Sequence, residues 1–336
     1  ACSAQCRGCY AVLQESQTRE NITVDVVYRF LEDCAEIGVR AISLISDGES
    51  TLSPAYESFI HRAYDLGIDV GNATNGWILT PEVLDRILPK LKWVRFTVLA
   101  GRPQSFMRMM HSHDVRRMDV YWHAMNNIAQ AVRIKRKRKL GVTLGIQTFL
   151  TPDDADEIVS FAQLGLDLGV DYVMLKHTSD DEHGSLGIDY TKYGLLEQKL
   201  REAEAMSNED TKVVVKWRKI REGGVCPYKR VYGPPFLLQI SGSGLVAPSG
   251  MFFNAAYSKF HVGNFCEERF IDIWRSDRYW EVMSYLASPY FDAQTMQGSL
   301  PIQHYANIAL DRHVKGIERI TAPPVGTPEP LHKAFI

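Results

Sequence analysis

Three of the six cysteines in this sequence lie close together, at Cys2, Cys6 and Cys9. Clustered thiols in a chain with so few cysteines indicate metal ligands before they indicate disulfides. Three thiolates on one tight loop can hold three irons of a [4Fe–4S] cube and leave the fourth iron without a protein ligand. Such an open iron can chelate a second molecule through amino and carboxylate groups. Two other interpretations stay open here: a zinc site completed by a distant residue, and three unrelated cysteines.

The elements that must position this loop alternate between short β-branched runs and longer amphipathic stretches as far as Lys176. Helical spacing, N-caps and stop glycines predict helices over 24–37, 54–66, 81–88, 121–138 and 154–168. Short apolar runs predict strands over 41–45, 68–73, 93–99, 142–150 and 172–175. Repeated strand–helix units of this length mean right-handed crossovers and a parallel sheet. The pattern predicts an α/β fold with at least five parallel strands, closed or partial.

The pattern loosens after Gly184. The expected elements are a polar helix over 193–206, a strand over 212–217, a β-hairpin around the turn 241–244, a helix over 270–286 and an extended tail from Thr321. The predicted domains follow from this change: a core over 1–185, a linker helix and strand over 186–225, a small domain over 226–320 and a Pro-rich tail over 321–336.

Polar and glycine-rich segments lie at the ends of the predicted strands. They are Ser46-Asp47-Gly48-Glu49-Ser50, Thr74-Asn75-Gly76, Arg95-Phe96-Thr97 and Gly145-Ile146-Gln147-Thr148. Ligands of parallel sheets gather at the C-terminal ends of the strands. Together with the Cys-x3-Cys-x2-Cys spacing and the aromatic Tyr10 that follows it, these segments resemble the radical S-adenosylmethionine (SAM) enzymes. The resemblance covers roughly residues 1–180.

The resemblance implies a fold, two cofactors and the residues that contact them. The fold would be a partial (β/α)6 TIM-like barrel with a small α+β C-terminal extension. The cofactors would be one [4Fe–4S] cluster on Cys2, Cys6 and Cys9, and SAM on the open iron. The implied SAM contacts are Tyr10 beside the adenine, Gly48 and Glu49 at the methionine ammonium, Asn75 at the ribose, Thr97 at the carboxylate, and Gln147 as the weakest match. Asp47 departs from the family pattern, which has a glycine there.

The resemblance also implies a reaction. One electron from the reduced cube would cleave the S–C5′ bond of SAM, giving methionine and a 5′-deoxyadenosyl radical that abstracts a substrate hydrogen. The protein would bind and orient the reactants and exclude water. This first step needs no general base, and the sequence assigns no catalytic side chain.

The C-terminal third is similar to the SPASM/twitch extension of radical SAM enzymes. The similar segments are Cys226-Pro227-Tyr228, the stretch 236–240, the stretch 244–250, Gly263-Asn264 and Ile273-Trp274-Arg275-Ser276. That extension usually supplies cysteines for auxiliary iron–sulfur clusters, but Ser249 replaces one expected cysteine and 296–300 contain none. Cys226 and Cys266 fall short of the four ligands that a cluster takes. We expect no auxiliary cluster, core thiols at both positions, and a core position for Cys34.

Three histidines and one basic run are further candidates. His111 and His113 follow the strand predicted over 93–99, and His177 follows that over 172–175. Loops at that edge line the pocket of a parallel sheet, so His111 and His177 are candidate substrate contacts. The basic run over 135–139 ends a helix, where positive charge is favourable, and is expected to be a solvated helix end rather than a phosphate or nucleic-acid site.

Composition bounds the class of protein. The chain has 336 residues, 45% hydrophobic and 23% charged, which is typical of a globular protein. A formal net charge of -2 favours neither nucleic acid nor an acidic membrane as a partner. No apolar run approaches the ~18 residues of a membrane span, and no signal peptide is visible, although Ala1 in place of a methionine leaves room for an upstream leader. We expect a cytoplasmic enzyme that is reduced by a flavodoxin or ferredoxin.

The substrate is the least constrained expectation. By analogy with SPASM-bearing relatives, the resemblance favours peptide or protein modification. A small metabolite, sugar or nucleotide is the alternative, and without auxiliary ligands a redox-neutral rearrangement, an epimerisation or a SAM-reforming cycle gains weight. A different class is a non-catalytic iron–sulfur binding or sensing protein. The SAM-binding segments favour the enzyme, because a structural cluster does not need them.

Overall fold

The computed structural model describes residues 2–9, 11, 21–45, 47–110, 119–181, 183–296, 303–328, 330, 332 and 334–335. Within these residues, six parallel strands are paired in chain order: β1 (Ala41–Leu44), β2 (Asp69–Thr74), β3 (Trp93–Thr97), β4 (Thr143–Leu150), β5 (Tyr172–His177) and β6 (Lys212–Val215). β1 and β6 are the two edges of this sheet, which therefore stays open among the described strands. The α/β fold with a partial (β/α)6 barrel is confirmed.

Helices connect the strands on one side of the sheet. They are α1 (Val24–Glu36), α2 (Tyr56–Asp65), α3 (Pro81–Ile87), α4 (Pro103–Met109), α5 (Asp119–Arg138), α6 (Ala155–Leu168), α7 (Glu197–Ala205) and α8 (Trp217–Glu222). Thr80 caps the N-terminus of α3, because its hydroxyl accepts a hydrogen bond from the N–H of Val83 at 3.4 Å. A capping box holds the loop before α6. The Thr151 side chain accepts a hydrogen bond from the N–H of Asp154, and the Asp154 carboxylate accepts one from the N–H of Thr151.

The helix-facing side of the sheet forms the core. Alternate residues of the central strands point to this side and are fully buried: Val94, Phe96, Leu144, Ile146, Val173 and Leu175. Burying each such side chain contributes about 1.5–3 kcal/mol relative to leaving it in water. Cys34 on α1 is 1% exposed and belongs to the same core, as predicted. The other side of the sheet, here called the inner face, is lined by the alternate residues and is only partly buried.

A small α+β unit follows the barrel. Its described strands β7 (Gln239–Ile240), β8 (Leu245–Ala247) and β9 (Gly263–Asn264) form an antiparallel sheet, which confirms the predicted hairpin. Its helices are α9 (Phe270–Arg275), α10 (Asp277–Ala287), α11 (Ala293–Met296) and α12 (His304–Val314). The unit packs on α1 through the rings of Phe265 and Phe270, which lie 4.6 and 5.0 Å from that of Phe30.

The structure corrects several predicted elements. The single helix expected over 270–286 is two helices, because Ser276 is extended and its hydroxyl accepts a hydrogen bond from the N–H of Tyr279 as an N-cap. The helix expected over 193–206 starts as a 3₁₀ helix, Tyr190–Leu196, before α7. Helices α4, α8, α11 and α12 were not predicted. Strand β6 pairs with β5, so the parallel sheet extends into the segment that the sequence assigns to a linker.

Part of the C-terminal tail returns to the barrel. Residues 318–328 are exposed, but the ring of Phe335 lies 5.6 Å from that of Trp93 at the start of β3. His332 Nε2 lies 3.1 Å from the hydroxyl of Thr143 at the start of β4. The tail therefore covers the N-terminal end of the inner face. None of the described helices has the length and apolar character required to cross a membrane.

Candidate functional site

The cysteine loop lies over the C-terminal ends of the strands. The N–H of Arg7 donates to the carbonyl of Met109 at 2.7 Å, which fixes the loop to the end of α4. Gly8 has a φ of +79°, and a Cβ there would lie 3.0 Å from Thr178 Cγ2, just after β5. A residue other than glycine would be strained in this turn. The loop is thus anchored on two sides of the barrel mouth.

The three thiols share one environment. Cys2, Cys6 and Cys9 line a cavity of about 730 Å³. Burial raises the pKa of Cys6, and the neighbouring thiols Cys9 and Cys2 raise it further. Burial also raises the pKa of Cys2, with Glu49 and Cys9 acting in the same direction. Three thiols within range of one another's charge become thiolates together only when a positive group neutralises them, as iron does.

The loop is tied to the end of β2 by an amide. Asn75 Nδ2 donates to the hydroxyl of Ser3 at 2.8 Å, and Asn75 Oδ1 accepts a hydrogen bond from the N–H of Trp77 at 3.0 Å. Asn127 on α5 closes the same turn by donating to the carbonyl of Gly76 at 2.8 Å. Asn75 therefore lies beside the cysteine loop, and its amide already has protein partners on both atoms.

Glu49 links the ends of β1 and β2. It is 6% exposed, and its Oε1 accepts hydrogen bonds from the hydroxyls of Thr51 and Thr74, both at 2.7 Å. Its Oε2 accepts a hydrogen bond from the N–H of Asn75 at 2.8 Å. Gly48 precedes it and is half-buried. The carboxylate thus acts as a brace between two strand ends, a role that the sequence did not indicate.

Thr97 and Gln147 lie side by side on the inner face. They are opposite each other in the β3–β4 pairing, and Gln147 Nε2 donates to the Thr97 hydroxyl at 3.0 Å. Gln147 is 5% exposed, and its Oε1 has no hydrogen-bond partner among the described residues. A buried acceptor without a partner is costly, and a bound donor would satisfy it.

The far wall of the cavity is a loop after β5. Buried Asp180 organises it, because its carboxylate accepts hydrogen bonds from the N–H groups of Leu186 and Ile188 at 2.9 and 3.2 Å. Residues 185–189, with Lys192, face the cysteine loop across the cavity. On the β4 side, Thr151, Pro152 and Asp153 complete the lining.

Other candidates from the sequence stand apart from this site. Tyr10, Ser46, His111 and His113 lie outside the described residues. His177 is fully buried on the helix side between the rings of Tyr190 and Tyr193, so the expectation that it contacts substrate is wrong: its side chain points away from the inner face.

The basic run that ends α5 makes contacts at the surface. Lys135 bonds Asp171 at 2.5 Å, Arg136 donates to the carbonyl of Gly169 at 3.1 Å, and Arg138 bonds Asp85 at 2.9 Å. Gly169 and Asp171 precede β5, and Asp85 lies on α3. Arg136 and Arg138 are exposed, as expected for a solvated helix end, whereas Lys135 is only partly exposed.

The donor set suits a cluster with one thiolate per iron. No group of three His, Cys, Asp or Glu side chains in the described part of the chain is spaced for one metal ion. A [4Fe–4S] cube does not require that spacing, since each thiolate binds a different iron. The shared cavity and the mutual electrostatic coupling of the thiols fit such a cube.

Comparison with known proteins gives a family match for the first part of the chain. Residues 1–164 match the model described as the Radical SAM superfamily. The AdoMet-dependent heme synthase of Methanosarcina barkeri is 30% identical over 86 residues, which are 26% of this chain and 24% of that protein. The matched part thus spans about a quarter of the curated relative.

Solved structures extend the likeness to most of the chain. SuiB of Streptococcus suis bound to S-adenosylmethionine superposes with a TM-score of 0.62 at 15% identity, covering 84% of this chain and 65% of that one. Native anSMEcpe with bound AdoMet and Kp18Cys peptide gives a TM-score of 0.59 at 12% identity, covering 95% and 97%. At these identities the likeness shows a shared fold.

Proposed function

We propose, from the match of residues 1–164 to the Radical SAM superfamily, that this chain is a radical SAM enzyme that cleaves SAM reductively and abstracts a hydrogen atom from its substrate. Cys2, Cys6 and Cys9 would hold one [4Fe–4S] cluster, with SAM on its open iron. When bound, the cluster supplies the electron that breaks the S–C5′ bond of SAM and generates the 5′-deoxyadenosyl radical. The observation that carries the proposal is the lining of one cavity by all three cysteines.

The chain's own residues would bind and orient SAM. We propose Gly48, Asn75, Thr97 and Gln147 as SAM contacts, with Tyr10 beside the adenine. The unpartnered Oε1 of Gln147 supports its place in this set, because it can accept a hydrogen bond from a ligand. Glu49 is proposed as a contact through its remaining acceptor capacity, although its main bonds hold Thr74 and Asn75 in position.

We propose a peptide or protein as the substrate, by analogy with the related folds. SuiB has been solved bound to precursor peptide SuiA, and anSMEcpe with Kp18Cys peptide. A small metabolite, sugar or nucleotide is the alternative substrate, and a non-catalytic iron–sulfur protein is the alternative class. A flavodoxin or ferredoxin would supply the electron in the cytoplasm, where thiols stay reduced.

We also propose that residues 226–320 are a SPASM/twitch-like extension without an auxiliary cluster, within the division of the chain given above. Cys226 Sγ donates to the carbonyl of Tyr228 at 3.3 Å, whereas Cys266 lies against Gly244, the turn glycine of the hairpin. The different neighbours of the two thiols support separate positions, with Cys226 in the core and Cys266 partly buried against it. Iron analysis of the Cys2→Ala/Cys6→Ala/Cys9→Ala variant tests this, since an auxiliary cluster would leave bound iron.

The experiment that tests the function is anaerobic turnover of SAM. Reconstituted protein with dithionite and SAM is expected to release 5′-deoxyadenosine, measured by chromatography. Cys6→Ala should abolish release, because the cube loses one of its three ligands. Cys34→Ala is the matched control, since that thiol is buried in the core away from the loop. Iron bound by the wild type without SAM cleavage would instead indicate the non-catalytic class.

A further inference from the structure

The inner face of β3–β6 carries positive charge where the helix-facing side carries aliphatic side chains. Strand pairing places Arg95 beside Gly145 and Tyr172, and Lys176 lies beside Phe149 four residue pairs further toward the C-terminal ends. Arg95 and Lys176 are partly exposed, whereas their chain neighbours Val94, Phe96 and Leu175 are fully buried. The inner face of β3–β5 therefore carries two partly exposed cations.

Two more lysines join this set just after β6. Lys216 follows the strand, and its N–H donates to the carbonyl of Leu175 at 2.9 Å, so it lies next to Lys176. Lys219 on α8 reaches back to the hydroxyl of Ser179 at 2.9 Å. Burial lowers the pKa of Lys176, and the charges of Arg95, Lys219 and Lys216 lower it further. The four side chains, here called the cationic cluster, are thus close enough to repel one another.

No carboxylate compensates this charge among the described residues. Each ion pair in that part of the chain involves other cations, and the groups that act on Lys176 are all positive. The Arg95 guanidinium lies over the ring of Trp93, 5.4 Å from its centroid, and its buried Nε has no hydrogen-bond partner among the described residues. Cations that lie together with little exposure and no counter-charge are unfavourable, and such groups are concentrated at functional sites, where an anion can bind them.

We propose that the cationic cluster of Arg95, Lys176, Lys216 and Lys219 binds an anionic group of the substrate, a carboxylate or a phosphate. This inference rests on the proposed function, because it assigns a substrate class to the same barrel. The lysines offer point charges, and Arg95 offers an unpartnered N–H donor, which is the donor set for such anions.

The lysines of the cluster are separated from the proposed SAM contacts that follow β1 and β2. Glu49 and Asn75 follow those two strands, whereas Lys176 lies on β5 and Lys216 follows β6. Three strand spacings separate β2 from β5, about 14 Å along the sheet. Arg95 lies two residues before Thr97 on the same face of β3, so the cluster reaches from the proposed SAM contacts toward β6. A substrate anion bound by the lysines would therefore lie beside SAM.

Anion binding is tested on the protein as isolated, with inorganic phosphate and glutarate as probes at constant ionic strength. Binding is followed by ³¹P line broadening for phosphate and by competition for glutarate. Lys176→Met and Lys216→Met should each weaken binding by about tenfold, since each removes a charge-assisted hydrogen bond. Lys212→Met is the matched control, an exposed lysine of β6 that bonds the carbonyl of Asn208. The probe that binds more tightly identifies phosphate or carboxylate as the preferred anion.

A second measurement separates the substrate anion from the SAM carboxylate. Reconstituted Lys176→Met should cleave SAM without substrate at the wild-type rate and bind SAM equally well. A parallel loss of SAM binding would overturn the proposal, because the cluster would then hold the SAM carboxylate. Equal phosphate binding by wild type and both variants would also overturn it. Phosphate binding at these lysines in a protein that never releases 5′-deoxyadenosine would support the anion site and contradict the proposed function.

Discussion

Single polar side chains hold the candidate site together. Glu49 braces the ends of β1 and β2 by accepting hydrogen bonds from Thr74 and Asn75, and the Asn75 side chain donates in turn to Ser3 in the cysteine loop. The geometry of the thiols thus depends on a carboxylate that is itself buried. Buried carboxylates are stable only when hydrogen bonds satisfy them, which makes this brace sensitive to a change of one atom.

Glu49→Gln should destabilise the fold. An amide cannot accept hydrogen bonds on both of its ends, so either the N–H of Asn75 or the two threonine hydroxyls lose their acceptor. The expected cost is about 1–3 kcal/mol in the free energy of unfolding, measured by urea denaturation. Glu32→Gln is the control, because that side chain is half-exposed in a surface ion pair and should change stability by about 0.5 kcal/mol or less. Equal effects of the two substitutions would contradict the role of Glu49 as a brace.

His177 predicts an acid-sensitive contribution to stability. Burial lowers the pKa of His177 to about 3, and the nearby charge of Lys219 acts in the same direction. The unfolded chain, with a histidine pKa near ~6.5, binds the proton more readily. Stability from this residue is therefore complete above pH ~6.5 and falls as the pH drops toward 3, by up to about 1.4 kcal/mol per pH unit.

The measurement is urea denaturation of wild type and His177→Gln at several pH values. The wild type should lose its advantage over the variant as the solution is acidified below pH ~6.5. His123→Gln, an exposed histidine on α5, is the control and should follow the wild type. A stability difference that stays constant with pH would show that His177 is not held neutral by the fold.

The helices and strands show where local patterns suffice and where they fail. Strands β3 and β4 lie within their predicted ranges, since buried parallel strands are marked by short apolar runs. The break at Ser276 was missed because the apolar pattern continues through it. The only local mark of the break is the hydroxyl of Ser276, which caps α10. The role of the three clustered cysteines as metal ligands was predicted from the sequence, because their spacing is a local pattern. The cationic cluster was not, because it is assembled by strand register between residues that are far apart in the chain.

A buried ion pair lies at the junction between α1 and α9. Asp33 is fully buried, and Arg269 donates to it from both Nε and a terminal nitrogen. Burial alone would raise the pKa of Asp33, but the bonds from Arg269 and from the N–H of Ile271 outweigh it and hold the pKa below its usual value. This contribution to stability is present at neutral pH and is lost as the pH falls through the lowered pKa.

Arg269→Ala should lower the unfolding midpoint by several degrees at neutral pH, because it leaves the Asp33 carboxylate buried without its partner. Arg275→Ala on the same helix is the control. Its partner Glu36 is 61% exposed and lies 3.4 Å from Arg275, so the loss of this ion pair should change the unfolding midpoint little. Thermal unfolding followed by circular dichroism distinguishes the two. Equal midpoints for both variants would mean that the junction does not depend on the buried pair.

On the scale of the whole molecule, the barrel arranges three regions around one mouth. The cysteine loop lies over the strand ends, the proposed SAM contacts follow β1 and β2 or lie on β3 and β4, and the cationic cluster lies on β3, on β5 and beyond β6. The small α+β unit touches the same rim, where the N–H of Gly242 donates to Asp47 at 3.3 Å. The C-terminal tail covers the opposite end. Substrate would therefore enter from the cysteine side.

Electron paramagnetic resonance of the reduced, reconstituted protein decides whether the three thiols hold a cluster that binds SAM, because it reports both the cluster and its open iron. We expect a [4Fe–4S]⁺ signal whose g values shift when SAM is added, and the loss of that signal in Cys2→Ala, Cys6→Ala and Cys9→Ala. A signal that ignores SAM, or one that survives all three substitutions, would contradict a cluster held by these thiols with one iron open to SAM.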